Sequence, residues 1–311
     1  MTKFENNRIA ILIPCFNEAV TIKSVVDAFS ASVPEATIYV YDNNSTDDTA
    51  SLAEAAGAIV RRETRQGKGN VVRRMFADID ADIYLMVDGD ATYDAEAAPR
   101  LIEELLAGPY DTVNGARCHA TEKAYRPGHM LGNRLLSWLV SYFFGRQSRD
   151  MLSGYKAMSR RFVKTFPTSS RGFEIETELL VHALELKMPV SEIETRYFER
   201  PAGSASKLST YKDGIKIIWV IMHLIRDLLP LKFFFSIAAS LALVAAVMGV
   251  PVVLDFFNTG LVQRVPTLIA ATAIMILSVL SFFAAIILDS VARGRREMKL
   301  LAYLSYSAVR T

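Results

Sequence analysis

Cysteine is nearly absent: Cys15 and Cys118 are the only two in 311 residues. A pair so far apart excludes a disulfide-rich secreted scaffold and any four-cysteine zinc site, which leaves a reduced, cytoplasmic setting as the default. An excess of either charge is also missing, since 35 Lys and Arg stand against 33 Asp and Glu. No global field therefore recruits nucleic acid, and no nucleic-acid partner is expected. The N-terminal MTKFENNRIAILIPCFNEAV holds one short apolar run ended by Pro14. That run is too short and its flanks too polar for a signal peptide, so the chain is expected to start in the cytosol. Neither G-x-x-x-x-G-K-[ST] nor G-x-G-x-x-G occurs, so ATP hydrolysis and dinucleotide redox chemistry lack their fingerprints. His119, His129 and His182 have no second ligand at metal spacing and read as surface or packing residues. No internal repeat or low-complexity tract is visible.

Apolar residues, by contrast, are plentiful. They make up 51% of the chain against 22% charged, and the mean hydropathy of +0.22 argues against disorder and against a purely soluble protein. Their distribution is uneven. Residues 1–210 read as globular, while 233–254 and 267–288 are uncharged stretches, each long enough to cross about 30 Å of hydrocarbon as a helix. The segment 255–266 between them carries only Asp255 and Arg264 and reads as a short extracytoplasmic loop. Lys212, Lys216, Arg226 and Lys232 precede the pair, and Arg293, Arg295, Arg296 and Lys299 follow it. The positive-inside rule places both flanks in the cytoplasm and makes 289–311 a basic cytoplasmic tail. Two buried helices of a soluble protein would be the alternative, but uncharged runs this long are rarely that. Residues 211–232 mix a broad apolar stripe with charge and fit an amphipathic helix in the interface, with Trp219 at headgroup depth; a helix packed on the globular part would show the same pattern.

Within the first 120 residues short apolar runs (9–15, 37–41, 58–60, 83–87 and 111–116) alternate with helix-like segments at 18–31, 47–56, 69–79 and 95–107. This spacing predicts an α/β domain with a mostly parallel, Rossmann-like sheet and helices on both faces. In such sheets ligands bind beyond the carboxyl ends of the strands. Polar residues follow each expected strand end: Pro14, Asn17 and Glu18; Asp42, Asn43, Asn44, Ser45 and Asp47; then Asp88, Gly89 and Asp90. The second group could equally be a turn and a helix N-cap.

Asp88-Gly89-Asp90 is less easily assigned to structure alone. Two carboxylates one residue apart beside an apolar strand repel each other unless a cation neutralises them. Hard oxygen ligands favour Mg²⁺ or Mn²⁺ held by one or two carboxylates plus substrate phosphates. A calcium loop is excluded, because Tyr93 stands where it needs Gly and Pro99 where it needs Glu. Arg65-Gln66-Gly67-Lys68-Gly69 is a glycine-flanked cationic turn of the kind that approaches phosphate, or a solvated basic turn.

Taken in order, P-x-x-N-E, D-N-N-S-T-D-D-T, G-K-G-x-x-x-R and D-G-D resemble the inverting family 2 glycosyltransferases of GT-A fold. The later stretches 150–156, 172–174 with Glu178, and 200–208 are similar to the polyprenyl-phosphate glycosyltransferases among them, the group of dolichyl-phosphate mannose synthases and bacterial undecaprenyl-phosphate glucosyltransferases. The resemblance spans about residues 8–210, and two C-terminal spans suit the bacterial branch. It implies that Pro14, Glu18 and Asp42 hold the nucleotide base and ribose, with Asn17, Asn44 and Gly89 in the same pocket. Asp88 and Asp90 would lie at the metal and diphosphate, and Lys68 would line the donor pocket. Arg117, Arg134, Arg200, Ser206 and Lys207 would face the acceptor's phosphate. Two positions depart from the family pattern: Asn43 stands where a second Asp is common, and Thr92 where a Gln is common.

The resulting expectation is an inverting transfer of one hexose, or a derivative, from a UDP- or GDP-sugar to undecaprenyl phosphate at the cytoplasmic face of the inner membrane. Asp90 is the expected direct metal ligand. A phosphate monoester has a second pKa near 6 by analogy with phosphorylated side chains, so the acceptor is already anionic and needs no strong general base. Asp150 matches the position often assigned to that base but is expected to orient the acceptor or to support Lys156 and Arg117. Two rivals are a processive polysaccharide synthase, disfavoured because no Arg precedes Trp138 or Trp219 in a Q-x-x-R-W motif, and a catalytically silent membrane scaffold. Helices at the membrane surface could also pair subunits into a homo-oligomer.

Overall fold

The computed structural model describes residue 4 and residues 7–119, 150, 153–167, 175–201, 222–223, 225–227 and 229–309. By packing, the chain divides into one unit of Met1–Ile218 with Lys299–Thr311 and a second of Trp219–Met298.

In the first unit, β1 (Ile9–Cys15), α1 (Ile22–Ser32), β2 (Thr37–Asp42), α2 (Thr49–Ala55), β3 (Ile59–Arg62), α3 (Lys68–Asp78) and β4 (Ile83–Met86) alternate as the periodicity predicts. A single 3₁₀ turn (Ala95–Ala97) leads into α4 (Ala98–Ala107) and β5 (Thr112–His119). Then come β6 (Lys156–Ser159), α5 (Arg160–Thr165), α6 (Ile175–Glu185) and β7 (Val190–Tyr197). The seven strands form one sheet in the order β3-β2-β1-β4-β6-β5-β7, parallel except for β6, which runs against both neighbours. A strand buried on both faces reads as a continuous apolar run, and IAILIPC is one.

Alternation along β1 divides the core in two. Ile9, Ile11 and Ile13 join Val25, Val26 and Phe29 of α1 and Leu101, Ile102 and Leu105 of α4. Ala10 and Leu12 face the other way, onto Val72, Met75 and Phe76 of α3, Phe162 of α5 and Leu179 of α6. Both faces are thus covered, and the carboxyl ends of β1, β2 and β4 remain as the place where polar loops converge.

The last residues of the chain also belong to this unit. Lys299 pairs with Glu185 at 2.7 Å, the Tyr303 hydroxyl donates to Asp111 Oδ2 at 2.7 Å, and the Arg161 guanidinium lies 4.8 Å over the Tyr303 ring. Asp111, fully buried before β5, also accepts from Ser159 Oγ at 2.8 Å and from Arg161.

The second unit contains α7 (Pro230–Thr259) and most of α8 (Val265–Leu304), each long and apolar enough to cross a membrane. Both outrun the apolar stretches read from the sequence, and α8 continues through the basic segment expected to be a tail. Gly260, at φ 69°, ends α7 in the left-handed conformation that glycine adopts without strain, and its N–H returns to the Phe256 carbonyl at 2.8 Å. Apart from Pro230 at the start of α7, the buried positions of the pair are Ala238, Ala245 and Val252 on α7 and Ala271, Ser278, Ala285 and Ala292 on α8. Each set repeats every seventh residue, a seam of mostly small side chains that lets two backbones approach. Ser278 Oγ donates across the seam to the Ala238 carbonyl at 2.7 Å.

Candidate active site

Three non-glycine residues in the left-handed region stand just past β1, β2 and β4: Asn17 (φ 52°), Asn44 (φ 65°) and Ala91 (φ 58°). Such conformations cost energy unless surroundings enforce them, and here side chains do. Asn17 Oδ1 accepts the Thr46 N–H at 2.8 Å, and the Asn17 N–H donates to Ser45 Oγ at 2.9 Å, which fastens the β1 loop to the β2 loop. Asp47 and Thr49 continue that seam through Ala19 N–H at 3.1 Å and Glu18 N–H at 2.8 Å. Thr21 Oγ1 donates to the Gly89 carbonyl at 2.7 Å, tying in the β4 loop. A Cβ at Gly89 would fall 2.7 Å from Cys15 Sγ, so close packing demands glycine there.

Asp42 is buried and receives the Ser45 N–H at 3.2 Å. Pro14 pairs with Tyr41 at the end of β1, next to the buried Glu18 loop. Asn43, the departure from the family pattern, has a structural task that uses both ends of its amide. Its Nδ2 donates to the Glu63 and Arg65 carbonyls at 2.9 and 2.8 Å, and its Oδ1 accepts the Gly67 N–H at 2.7 Å. Asn44 Nδ2 adds a bond to the Thr64 carbonyl at 2.8 Å. These asparagines hold the cationic turn in place, with Gly67 at φ 125° starting α3.

That turn delivers Lys68 to the end of β4. Its Nζ contacts Asp88 Oδ1 and donates to Glu176 Oε1 at 2.5 Å, with little of any of the three side chains exposed except Asp88. Burial alone would discharge this lysine, but the two carboxylates outweigh burial and raise its pKa. Glu176, fully enclosed, is pushed up by burial despite Lys68. Asp90 is also pushed up, first by burial and then by the charge of Asp88. Its Oδ1 accepts from Thr92 Oγ1 at 2.6 Å and from the Thr92 N–H at 3.2 Å, while its Oδ2 meets Arg200 at 2.5 Å. Thr92, the second departure, therefore braces one oxygen of the expected metal ligand. Gly154 closes in from the other side: a Cβ there would lie 2.6 Å from Asp88 Oδ2.

On the far side of β4 stands a second charged group. Arg117 grips Asp150 with both arms, Nε to Oδ2 at 2.6 Å and Nη2 to Oδ1 at 2.8 Å, and its backbone N–H adds a bond at 3.2 Å. Burial raises the Asp150 carboxyl, but Arg117 outweighs it and leaves the pKa below the ordinary value. Arg117 also lies 5.4 Å from the Tyr197 ring centre. Beneath the pair runs a polar row: Asn114 on β5 is in register with Lys156 on β6 and Glu192 on β7. Lys156 Nζ donates to Asn114 Oδ1 at 2.5 Å. Asn114 Nδ2 donates to the Asp150 carbonyl at 2.9 Å and to Glu192 Oε1 at 3.1 Å, and Glu192 Oε1 also receives the Asp150 N–H at 3.1 Å. Burial lowers the Lys156 pKa to about 8 against the pull of Asp150, Glu176 and Glu192.

The structure thus brings together Asp88, Gly89, Asp90, Lys68 and Arg200, and separately Arg117, Asp150 and Lys156; Pro14, Asn17, Glu18, Asp42 and Asn44 line the adjoining loops. Arg134, Ser206 and Lys207 lie outside the described residues. Sequence reasoning missed Glu176, Asn114 and Glu192. Each stands among other polar residues of its own element, so nothing singles it out in sequence, and its partners are set by register and tertiary packing. Among the described residues no three His, Cys, Asp or Glu side chains form a self-sufficient metal cage. Two adjacent carboxylates with hard oxygens, one of them buried and reluctant to ionise unaided, nonetheless fit a Mg²⁺ or Mn²⁺ ion whose remaining ligands come from a diphosphate.

Residues 10–165 match the family model described as glycosyl transferase family 2. Glycosyltransferase AglJ of Haloferax volcanii is 36% identical over 235 residues, covering 74% of this chain and 76% of its own. An undecaprenyl-phosphate mannosyltransferase of Micrococcus luteus is 24% identical over 223 residues, with 65% of this chain and 88% of that protein covered. The crystal structure of glucosyl-3-phosphoglycerate synthase from Mycobacterium tuberculosis with Mn²⁺, UDP and glucosyl-3-phosphoglycerate superposes with a TM-score of 0.58 at 24% identity, over 70% of this chain and 80% of that one. The GT-A fold is shared, and the chain belongs to glycosyl transferase family 2.

Proposed function

We propose that this glycosyltransferase moves one hexose, or a hexose derivative, from a UDP- or GDP-sugar to a polyprenyl phosphate, undecaprenyl phosphate in a bacterial membrane, with inversion at the sugar carbon. The observation that carries the reading is the pairing of two charged groups at one sheet edge: Asp88 and Asp90 with Lys68, and Arg117 locked to Asp150. The first suits a diphosphate with its cation, the second a phosphate monoester. Helices α7 and α8 supply what a lipid acceptor needs, a chain able to span the bilayer with its catalytic unit on the cytoplasmic face of the inner membrane. The named activity of the Micrococcus luteus relative agrees in acceptor class.

Asp88 and Asp90 would hold the Mg²⁺ or Mn²⁺ ion, which when bound stabilises negative charge on the departing diphosphate. Lys68, kept protonated between Asp88 and Glu176, adds a fixed positive charge beside the same oxygens. Pro14, Asn17, Glu18, Asp42 and Asn44 shape the nucleotide pocket. Arg117 presents a guanidinium, whose planar fork suits phosphate oxygens. Asp150, bound at both oxygens and held below its ordinary pKa, orients Arg117 and is not the proton acceptor; the anionic acceptor attacks without one. Lys156 acts from below, through Asn114, on the position of Asp150. Arg134, Ser206 and Lys207 complete the acceptor side in this reading.

The test is to incubate the purified full-length chain with radiolabelled UDP- and GDP-sugars and undecaprenyl phosphate. One sugar per lipid is expected in the organic phase, dependent on Mg²⁺ or Mn²⁺ and abolished by Asp90→Ala. Label in a long polymer would instead make the protein a processive synthase. No transfer, and no binding of UDP or GDP with millimolar Mn²⁺, would make it a scaffold.

A further inference from the structure

Both carboxylates of the expected metal site already carry a cationic side chain, and the two cations are not equivalent. Lys68, on Asp88, has Glu176 as a second carboxylate at 2.5 Å and is enclosed, 8% exposed. Arg200, on Asp90 Oδ2, has 27% of its side chain exposed against 5% for Asp90. Asp90 Oδ1 is turned inward and braced by Thr92, so Oδ2 is the oxygen through which Asp90 would bind an ion. A divalent ion and a guanidinium compete for that oxygen, because like charges at contact distance in a partly buried site repel strongly.

We infer that Arg200 is the resident counter-ion of Asp90, and that capture of a divalent metal displaces it and hands its guanidinium to the acceptor's phosphate. The inference rests on the donor and acceptor assignment proposed above. Lys68, enclosed and paired with Glu176, stays when the metal takes Asp88; Arg200, the more exposed of the two cations, is the one that moves to a new anion. Arginine suits both partners, since the same planar fork serves a carboxylate and a phosphate. Metal binding and acceptor binding are then positively coupled through one side chain. Coupling of this kind is reciprocal, so the acceptor must also tighten metal binding.

The experiment titrates Mn²⁺ into the full-length protein in detergent with UDP present, followed by electron paramagnetic resonance of free Mn²⁺, for the natural chain and for Arg200→Ala. Removal of the competing cation is expected to raise Mn²⁺ affinity roughly tenfold, within the usual range for such coupling. A parallel calorimetric titration with farnesyl phosphate is expected to show several-fold tighter binding when Mn²⁺ and UDP are present, a gain that Arg200→Ala removes. Arg200→Gln gives the same expectation should the alanine variant fold poorly. Equal or weaker Mn²⁺ binding by the variants overturns the inference while leaving the metal-dependent donor site standing. Mn²⁺ binding by none of the proteins overturns both.

Discussion

Gly154 is the residue where backbone and chemistry meet most closely, because a Cβ there would press on the Asp88 carboxylate at 2.6 Å. Gly154→Ala is expected to move that carboxylate and weaken Mn²⁺ binding about tenfold or more, with thermal stability nearly unchanged; paired metal titrations and melting curves check this. Asp150→Asn keeps the shape of the side chain but removes the charge that Arg117 grips. Measurable turnover with a raised acceptor KM is the expected outcome, and a complete loss of kcat at saturating acceptor would make Asp150 a base after all. His182 offers a test away from the site. Burial, with a smaller push from Lys299, lowers its pKa to about 3 from an ordinary 6.5, and among the described residues its Nδ1 has no partner. The unfolded chain takes up a proton below pH 6.5 that the folded chain refuses until about 3, so stability is full above this window and falls as pH drops through it. The loss reaches about 3 kcal/mol near pH 4. His182→Met should flatten that acid limb of the melting-temperature profile.

Elements differ in how openly the sequence declares them. The runs at 9–15, 37–41, 58–60 and 83–87 become strands because each is a largely apolar stretch between helix-like segments, and the more polar 111–116 follows as the next strand in the same alternation. β6 could not be read that way: four buried residues carry no period, and their reversed direction is settled by what they pack between. The same limit hid part of the site. Strand-end carboxylates are visible as a pattern, so Asp42, Asp88 and Asp90 stood out, and Lys68 followed from its glycines. The row Lys156, Asn114 and Glu192 exists only through register across three strands. Glu176 faces Lys68 across 108 positions of sequence. In the helical pair, the sevenfold repeat of buried small residues predicts low tolerance for bulk. Ala285→Leu is expected to destabilise the pair by about 1–3 kcal/mol, while leucine at the exposed Val247 should be silent, as read by detergent-induced unfolding of both variants.

At the scale of the whole molecule, the C-terminal segment is part of the catalytic unit's fold. Tyr303 donates to Asp111, a fully buried carboxylate that also anchors Ser159 and Arg161 beneath β5 and β6. Tyr303→Phe removes one donor from that buried charge and is expected to cost about 1–3 kcal/mol, measured by thermal melting, with KM for the nucleotide sugar unchanged. A deeper consequence concerns biosynthesis. Tyr303, which finishes the packing around Asp111, is made only after the apolar stretches of both long helices. A nascent chain interrupted before Lys299 therefore holds a glycosyltransferase unit whose foundation is still open, and its maturation has to wait until that segment has followed the apolar stretches out of the ribosome.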